Sequence, residues 1–220
     1  MKDTNAIPLL EQPLKNMEST SVIYGANRLK LSTHVDDILT ELKVEWFIES
    51  GTLLGAWRNN KLLPNDDDFD MAIILDQEQD IVQQLNHLRN VFNMKLDSKY
   101  KCRIITTYCH KLEIFEPKLG KYILPDPRYK GADFHNVTLD LQVYCKSGEV
   151  IYPLYYLYET TLNIPITDIY PIKKINLEGH LYNCPNNTKS VLEILYGYLG
   201  VDYLYNVNTR RYEKKDSTIK

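Results

Sequence analysis

The sequence predicts an α+β fold: a mixed β-sheet flanked by helices, with a small helical and loop extension at the C-terminus. Three observations carry the prediction. Apolar residues recur at helical spacing in separate segments, at Val35, Ile38, Leu39 and Leu42, at Ile81, Leu85, Leu88 and Phe92, and again over 191 to 199. Short stretches of strand character lie between them, at 44 to 50, 68 to 75, 102 to 108, 111 to 115 and 137 to 145. A chain of 220 residues holds one well-buried core, with room for a small subdomain at most.

Residues 1 to 25 show no clean period and are expected to form an irregular segment over the surface. A single domain is expected over 26 to 205, followed by a charged, frayed tail over 206 to 220. Thr33, with Asp36 three residues on, resembles a capping signal, so a helix is expected over 33 to 43. Residues 44 to 50 are rich in β-branched and aromatic side chains and end at Gly51, as a buried strand entering a turn does. The Gly-bounded, apolar stretch 51 to 58 suits one or two helical turns, and 59 to 65 holds turn formers and Pro64. Residues 68 to 75 alternate and then become wholly apolar, the pattern of an inner strand. Asp76 is expected to cap a second helix that ends near 93. Strands at 102 to 108 and 111 to 115 lead into a Pro- and Gly-rich loop over 117 to 132, and VTLDLQVYC (137 to 145) alternates as another strand. The aromatic stretch 152 to 158 reads as helix or strand. Residues 164 to 185, interrupted by prolines, read as loops and short strands, and 191 to 199 as a closing helix.

Composition narrows the function. Lys and Arg number 26 against 29 Asp and Glu, a net charge of −3, so no global basic field exists to hold a nucleic acid polymer by its phosphates. The first thirty residues mix charges and prolines into every apolar stretch, which excludes a signal-peptide core, and no later run has the length of a membrane span. A cytoplasmic protein is expected, with the sequons at Asn136 and Asn186 unmodified. Cys102, Cys109, Cys145 and Cys184 lack C-x-x-C spacing and read as reduced structural thiols.

The candidate chemistry lies in acids. In a strand, side chains at i and i+2 share a face, so Asp68 and Asp70 place two carboxylates side by side; Asp66 has their parity and Asp67 opposes them. Two carboxylates about 4 Å apart repel by roughly 4 kcal/mol at a protein-surface dielectric, a cost that a divalent cation converts into attraction. Oxygen ligands are what Mg²⁺ prefers. The competing reading, a solvated acidic turn, fits poorly with direct entry into the apolar run MAIIL. A third acid, Asp140, sits between Leu139 and Leu141, either as part of the same chemistry or as an acid bonded to backbone. Gly51 and Thr52 follow a strand, where the absence of a Cβ lets backbone N–H groups approach a phosphate. Gly55 reads as a packing residue, and Arg58 as a phosphate partner or a solvated arginine. Lys173 and Lys174 read as a strand edge, and His110, His135 and His180 as structural or surface residues.

Strand, glycine turn, short helix, D-h-D strand and a later strand with a third Asp together resemble the nucleotidyltransferase superfamily. More closely, ESGTLLGAWRNNKLLPNDDDFDMAI (49 to 73) is similar to the motif of the LicD/fukutin family, in which G-T-L-L-G and P-W-D-D-D-h-D recur at this spacing. YPIKKINLEGHLYNCPNN (170 to 187) and VLEILYG (191 to 197) resemble later segments of that family. Asn65 stands where the family has an aromatic residue, and no set of cysteines corresponds to the zinc loop of some relatives. The resemblance implies a nucleotidyltransferase-like sheet and transfer of a substituted phosphate, phosphocholine or polyol phosphate, from a CDP-linked donor to a glycan hydroxyl. It implies Mg²⁺ or Mn²⁺ held by Asp68, Asp70 and Asp140, which are also the expected catalytic residues, with Gly51, Thr52 and Arg58 binding substrate. Two alternatives stand beside it: transfer of NMP from an NTP, and a catalytically silent binding protein of the same fold.

Overall fold

Period-two alternation in the central strands divides the sheet into an acidic face and an apolar face. The computed structural model describes residues 8–64, 66–76, 79–107, 109–122, 134–155, 162–200, 202–206 and 211–214. Its elements run α1 (Pro8–Glu41), β1 (Glu45–Ile48), α2 (Ser50–Asn59), β2 (Asp70–Leu75), α3 (Ile81–Lys95), β3 (Lys101–Ile105) and β4 (Lys111–Phe115). A 3-10 turn (Pro117–Leu119), β5 (Lys121–Tyr122), β6 (Phe134–His135), β7 (Thr138–Ser147), β8 (Val150–Pro153), β9 (Ile164–Pro165) and α4 (Ile166–Ile169) follow. The chain closes with β10 (Lys173–Leu177), β11 (His180–Cys184), α5 (Thr188–Tyr196), β12 (Tyr203–Asn206) and β13 (Arg211–Lys214). This is the α+β class expected.

The main sheet has the order β1-β2-β7-β4-β3, and β8 and β9 extend it beside the second half of β7. Among the described strands only β2 and β7 run parallel within it; β1–β2, β4–β7, β3–β4, β7–β8 and β8–β9 are antiparallel. Met71, Ile73, Leu112, Ile114, Leu139, Leu141 and Val143 are all fully buried on one face. Burying a side chain of that size contributes roughly 1.5–3 kcal/mol, so this face anchors the core. The opposite face carries Asp70, Asp140 and Glu113 and forms the site.

Several local expectations are corrected. The capping signal at Thr33 is internal to α1, where Thr33 Oγ1 donates back to the Lys30 carbonyl at 2.9 Å. The segment expected to be irregular to residue 25 is helical from Pro8, while 1–7 lie outside the described residues. Just ahead of the expected helix, Gly25, Arg28 and Ser32 share the buried face with Leu31, Val35, Ile38 and Leu39 and interrupt the apolar period that marks 33 to 43. Asp80, not Asp76, caps α3 by accepting from Val82 N at 2.9 Å and Gln83 N at 3.1 Å. The stretch 152 to 158 begins as strand β8, with 156–158 outside the described residues. Within the loop expected over 117 to 132, residues 121–122 form β5, which pairs with β6 beyond it, and 123–132 lie outside the described residues. Strand β13, inside the expected tail, pairs antiparallel with β12 just before it, and Arg211 Nη2 donates to the Glu193 and Ile194 carbonyls at 2.6 and 3.0 Å, satisfying the open end of α5. No described helix is long and apolar enough to cross a membrane.

Candidate active site

The sheet register collects acids from strands far apart in sequence. Asp70 on β2 is paired with Asp140 on β7, Asp140 with Glu113 on β4, and Glu113 with Arg103 on β3. Glu49 N donates to Asp70 O at 3.2 Å, continuing β1 into the same row. Paired residues in a sheet face the same way, so four carboxylates line one row. The neighbouring row contributes Ala72, Gln142 and Lys111. From there Lys111 Nζ pairs with Asp140 Oδ2 and stands 3.8 Å from Glu113 Oε1, while Arg103 pairs with Glu113.

Asp68 lies just before β2, not within it, yet the parity argument survives. Phe69 N donates to Thr138 O at 3.1 Å and Asp140 N to Phe69 O at 2.9 Å, so the ladder with β7 already holds at residue 69. Phe69 turns into the core against Tyr182, ring centroids 5.4 Å apart, and its neighbours Asp68 and Asp70 turn outward. Asp66, left out of the expected ligand set, joins them: Asp66, Asp68 and Asp70 each offer a carboxylate oxygen, all within 4.8 Å of one another. Three carboxylate oxygens gathered so closely could together hold a hard divalent cation.

The acids are held under electrostatic load. Burial pushes the Asp66, Asp68 and Asp70 carboxyls well above the usual range, and their own mutual repulsion adds to it: Asp68 and Asp67 act on Asp66, Asp70 on Asp68, Asp66 and Glu49 on Asp70. Glu49 is raised to about 7 by burial, aided by Asp140 and opposed by the Tyr144 hydroxyl that donates to it. Glu113 is also raised to about 7 by burial and Asp140, against the pull of Lys111 and Arg103. Asp66 Oδ2 and Asp140 Oδ1 are buried without a hydrogen-bond partner. Unpartnered buried oxygens in an anionic cluster are costly unless a cation completes them, so the donor set fits a hard divalent ion such as Mg²⁺ or Mn²⁺.

A pH dependence follows from Glu49 and Glu113. Both values rise on folding, from 4.5 to about 7, so between those limits the folded chain keeps protons that the unfolded chain has lost. Their contribution to metal-free stability is complete below pH 4.5 and is lost as pH rises to 7. Thermal melts of Glu49→Gln across this window are expected to fall less steeply than those of the parent; parallel curves would contradict the assignment.

The expected substrate-binding residues are occupied with the acids or with packing. A Cβ on Gly51 would stand 2.6 Å from Asp66 Oδ2, so the glycine makes room for the carboxylate. Thr52 Oγ1 accepts from Asp70 N at 2.8 Å and fixes the start of β2. Arg58 Nη2 donates to Leu199 O at 3.0 Å, tying α2 to the segment after α5. A Cβ on Gly55 would collide with the Lys61 carbonyl, which is backbone and cannot swing aside. Gly51→Ala is therefore expected to fold normally but displace Asp66 and weaken Mn²⁺ binding, whereas Gly55→Ala loses about 1–3 kcal/mol of stability. Calorimetric titration and thermal melts of the two variants check the contrast.

Lys173 and Lys174 lie apart from the acids: the first donates to Asn186 O at 3.0 Å and the second sits 5.9 Å from the Trp46 ring. His135 stacks on Phe115 at 4.0 Å, and His180 stands 3.3 Å from Asp36. All four cysteines are free and buried, and burial raises the Cys102 and Cys109 thiols to about 12, as inert structural thiols require. Sequence reasoning missed Glu49, Lys111 and Glu113. A signal for Lys111 and Glu113 was present, since K-L-E-I-F places them on the face opposite Leu112 and Ile114.

A family model described as LicD/FKTN/FKRP, nucleotidyltransferase domain, matches residues 43–187, which include Glu49, the acidic run, Lys111, Glu113 and Asp140. The chain is similar to an uncharacterized protein of Rickettsia typhi, 33% identical over 99 residues that make up 44% of this chain and 30% of the relative. It is also similar to an uncharacterized protein of Rickettsia prowazekii, 41% identical over 81 residues, 36% of this chain and 30% of the relative. The matches thus span less than a third of either relative's length. With more than half of its length matched by the family model, the chain belongs to the LicD/FKTN/FKRP family and carries that family's nucleotidyltransferase domain.

Proposed function

We propose that the protein moves a substituted phosphate, of the phosphocholine or polyol phosphate kind, from a CDP-linked donor to a glycan hydroxyl. The observation that carries the reading is the convergence of Asp140 with Asp70 in parallel register beside Asp66 and Asp68, inside the family-matched segment. Asp66, Asp68 and Asp70 would hold Mg²⁺ or Mn²⁺, which supplies charge neutralisation at the donor pyrophosphate and at the departing CMP. Asp140 directs one oxygen to Lys111 and keeps Oδ1 unpartnered, placed to complete the ligand set or to take the proton of the acceptor hydroxyl. Thr52 and Gly51 keep Asp70 and Asp66 in place through the contacts described above.

Incubation with CDP-choline, CDP-ribitol or CDP-glycerol and a glycan acceptor is expected to release CMP in the presence of Mg²⁺ or Mn²⁺. Pyrophosphate release from an NTP instead would replace the reading with nucleotidyl transfer, and no release from any donor would favour a silent binding protein. Asp140→Asn separates the two uses of that residue: retained Mn²⁺ binding with lost turnover assigns proton transfer, and lost binding assigns ligation.

A further inference from the structure

Helix α1 precedes the family-matched segment, yet one of its side chains reaches the backbone of both acidic segments. Arg28 is fully buried at 0% exposure. Its Nη1 donates to the Asp66 carbonyl at 3.0 Å, while Nη2 and Nε donate to the Asn136 carbonyl at 2.8 and 3.2 Å. Asp66 opens the acidic run, and Asn136 lies in the turn that leads into β7 and Asp140. Asn136 is itself fixed, since its Nδ2 donates to Leu119 O at 2.8 Å.

A buried guanidinium is costly to desolvate, and simple packing could be met by an apolar side chain at lower cost. What Arg supplies is a planar fork with donors in fixed directions, able to hold two carbonyls at a set separation; a lysine ammonium has one nitrogen and no fork. Its positive charge near Asp66 would by itself oppose a metal cation, so any benefit to metal binding comes through geometry.

We infer that Arg28 is a positioning residue that fixes the Asp66 backbone against the turn at Asn136, ahead of the point where the β2–β7 ladder begins, and so tunes the affinity of the acidic cluster for a divalent cation. The inference rests on the proposed reading of these acids as a metal site. Arg28→Lys keeps the charge and loses the fork. Ser32→Ala removes another buried α1 hydrogen bond, the 2.6 Å contact with the Tyr182 hydroxyl, leaves the Arg28 fork intact and serves as the structural control.

Calorimetric titration of the full chain with Mn²⁺, below the melting temperature of each variant, is expected to show binding weakened about 10- to 100-fold in Arg28→Lys, the range typical of outer-shell partners, and unchanged in Ser32→Ala. Parent-like affinity in Arg28→Lys, or equal weakening in Ser32→Ala, overturns the inference while leaving the metal reading intact. Absence of Mn²⁺ binding in the parent protein overturns the metal reading itself. If Arg28→Lys fails to fold, amide exchange of the parent decides: Mn²⁺ slowing exchange at 26–32 together with 66–70 supports the clamp, and slowing confined to 66–70 overturns it.

Discussion

Asp68→Asn and Asp70→Asn are expected to abolish turnover while leaving the melting temperature unchanged or higher. The two halves of this expectation have one cause. Each carboxylate is half-buried beside others that raise its proton affinity, so replacing one by a neutral amide of the same shape relieves repulsion in the metal-free protein. The same replacement removes a charged oxygen ligand from a set whose oxygens lie within 4.8 Å. Metal ions contribute several kcal/mol of charge stabilisation to such reactions; about 4 kcal/mol corresponds to roughly a 10³-fold loss of rate. Release of CMP and a thermal melt on the same preparations provide the check. A variant that unfolds, or one that keeps turnover within about tenfold of the parent, would show that these acids stabilise the fold and do not perform the chemistry.

Asp68, Asp70 and Asp140 were legible because alternation is a local property. A D-h-D pair entering an apolar strand, and an Asp flanked by leucines, announce their faces without knowledge of any partner. Register was not legible, because the pairing of Asp70 with Asp140 and of Asp140 with Glu113 is decided by contacts across long stretches of chain. Lys111 and Glu113 went unremarked for the same reason: charges in a short strand read as a solvated edge until an inner strand is known to lie beside them. Arg28 was hidden differently. A polar residue on the inward stripe of a helix lowers the apolar signal, so the side chain that links α1 to Asp66 and Asn136 also hid how far the helix expected over 33 to 43 runs back along the chain. Asp76 and Asp80 both precede α3, and only the path of the backbone decided which one reached Val82 N and Gln83 N.

Lys111→Met is expected to cost the metal-free protein about 3–5 kcal/mol, the usual penalty for removing one partner from a buried ion pair. Lys111 is only 8% exposed, and its ammonium serves Asp140 directly and Glu113 at 3.8 Å. Methionine has nearly the same volume and flexibility, so the loss reports charge and not a cavity. In a domain of this size that penalty lowers the melting temperature by roughly 6–20 °C. Arg103 remains to compensate Glu113, which leaves Asp140 as the acid with the larger deficit. A divalent cation bound by the same acids would then take over part of the neutralisation that Lys111 provides. Mn²⁺ should therefore raise the melting temperature of Lys111→Met more than that of the parent, since stabilisation by a ligand grows with its affinity for the folded state. Melts of both proteins with and without Mn²⁺ test this; a variant within about 1 kcal/mol of the parent, or one that gains no more than the parent from the ion, would show that Lys111 is not the counter-charge of this acidic row.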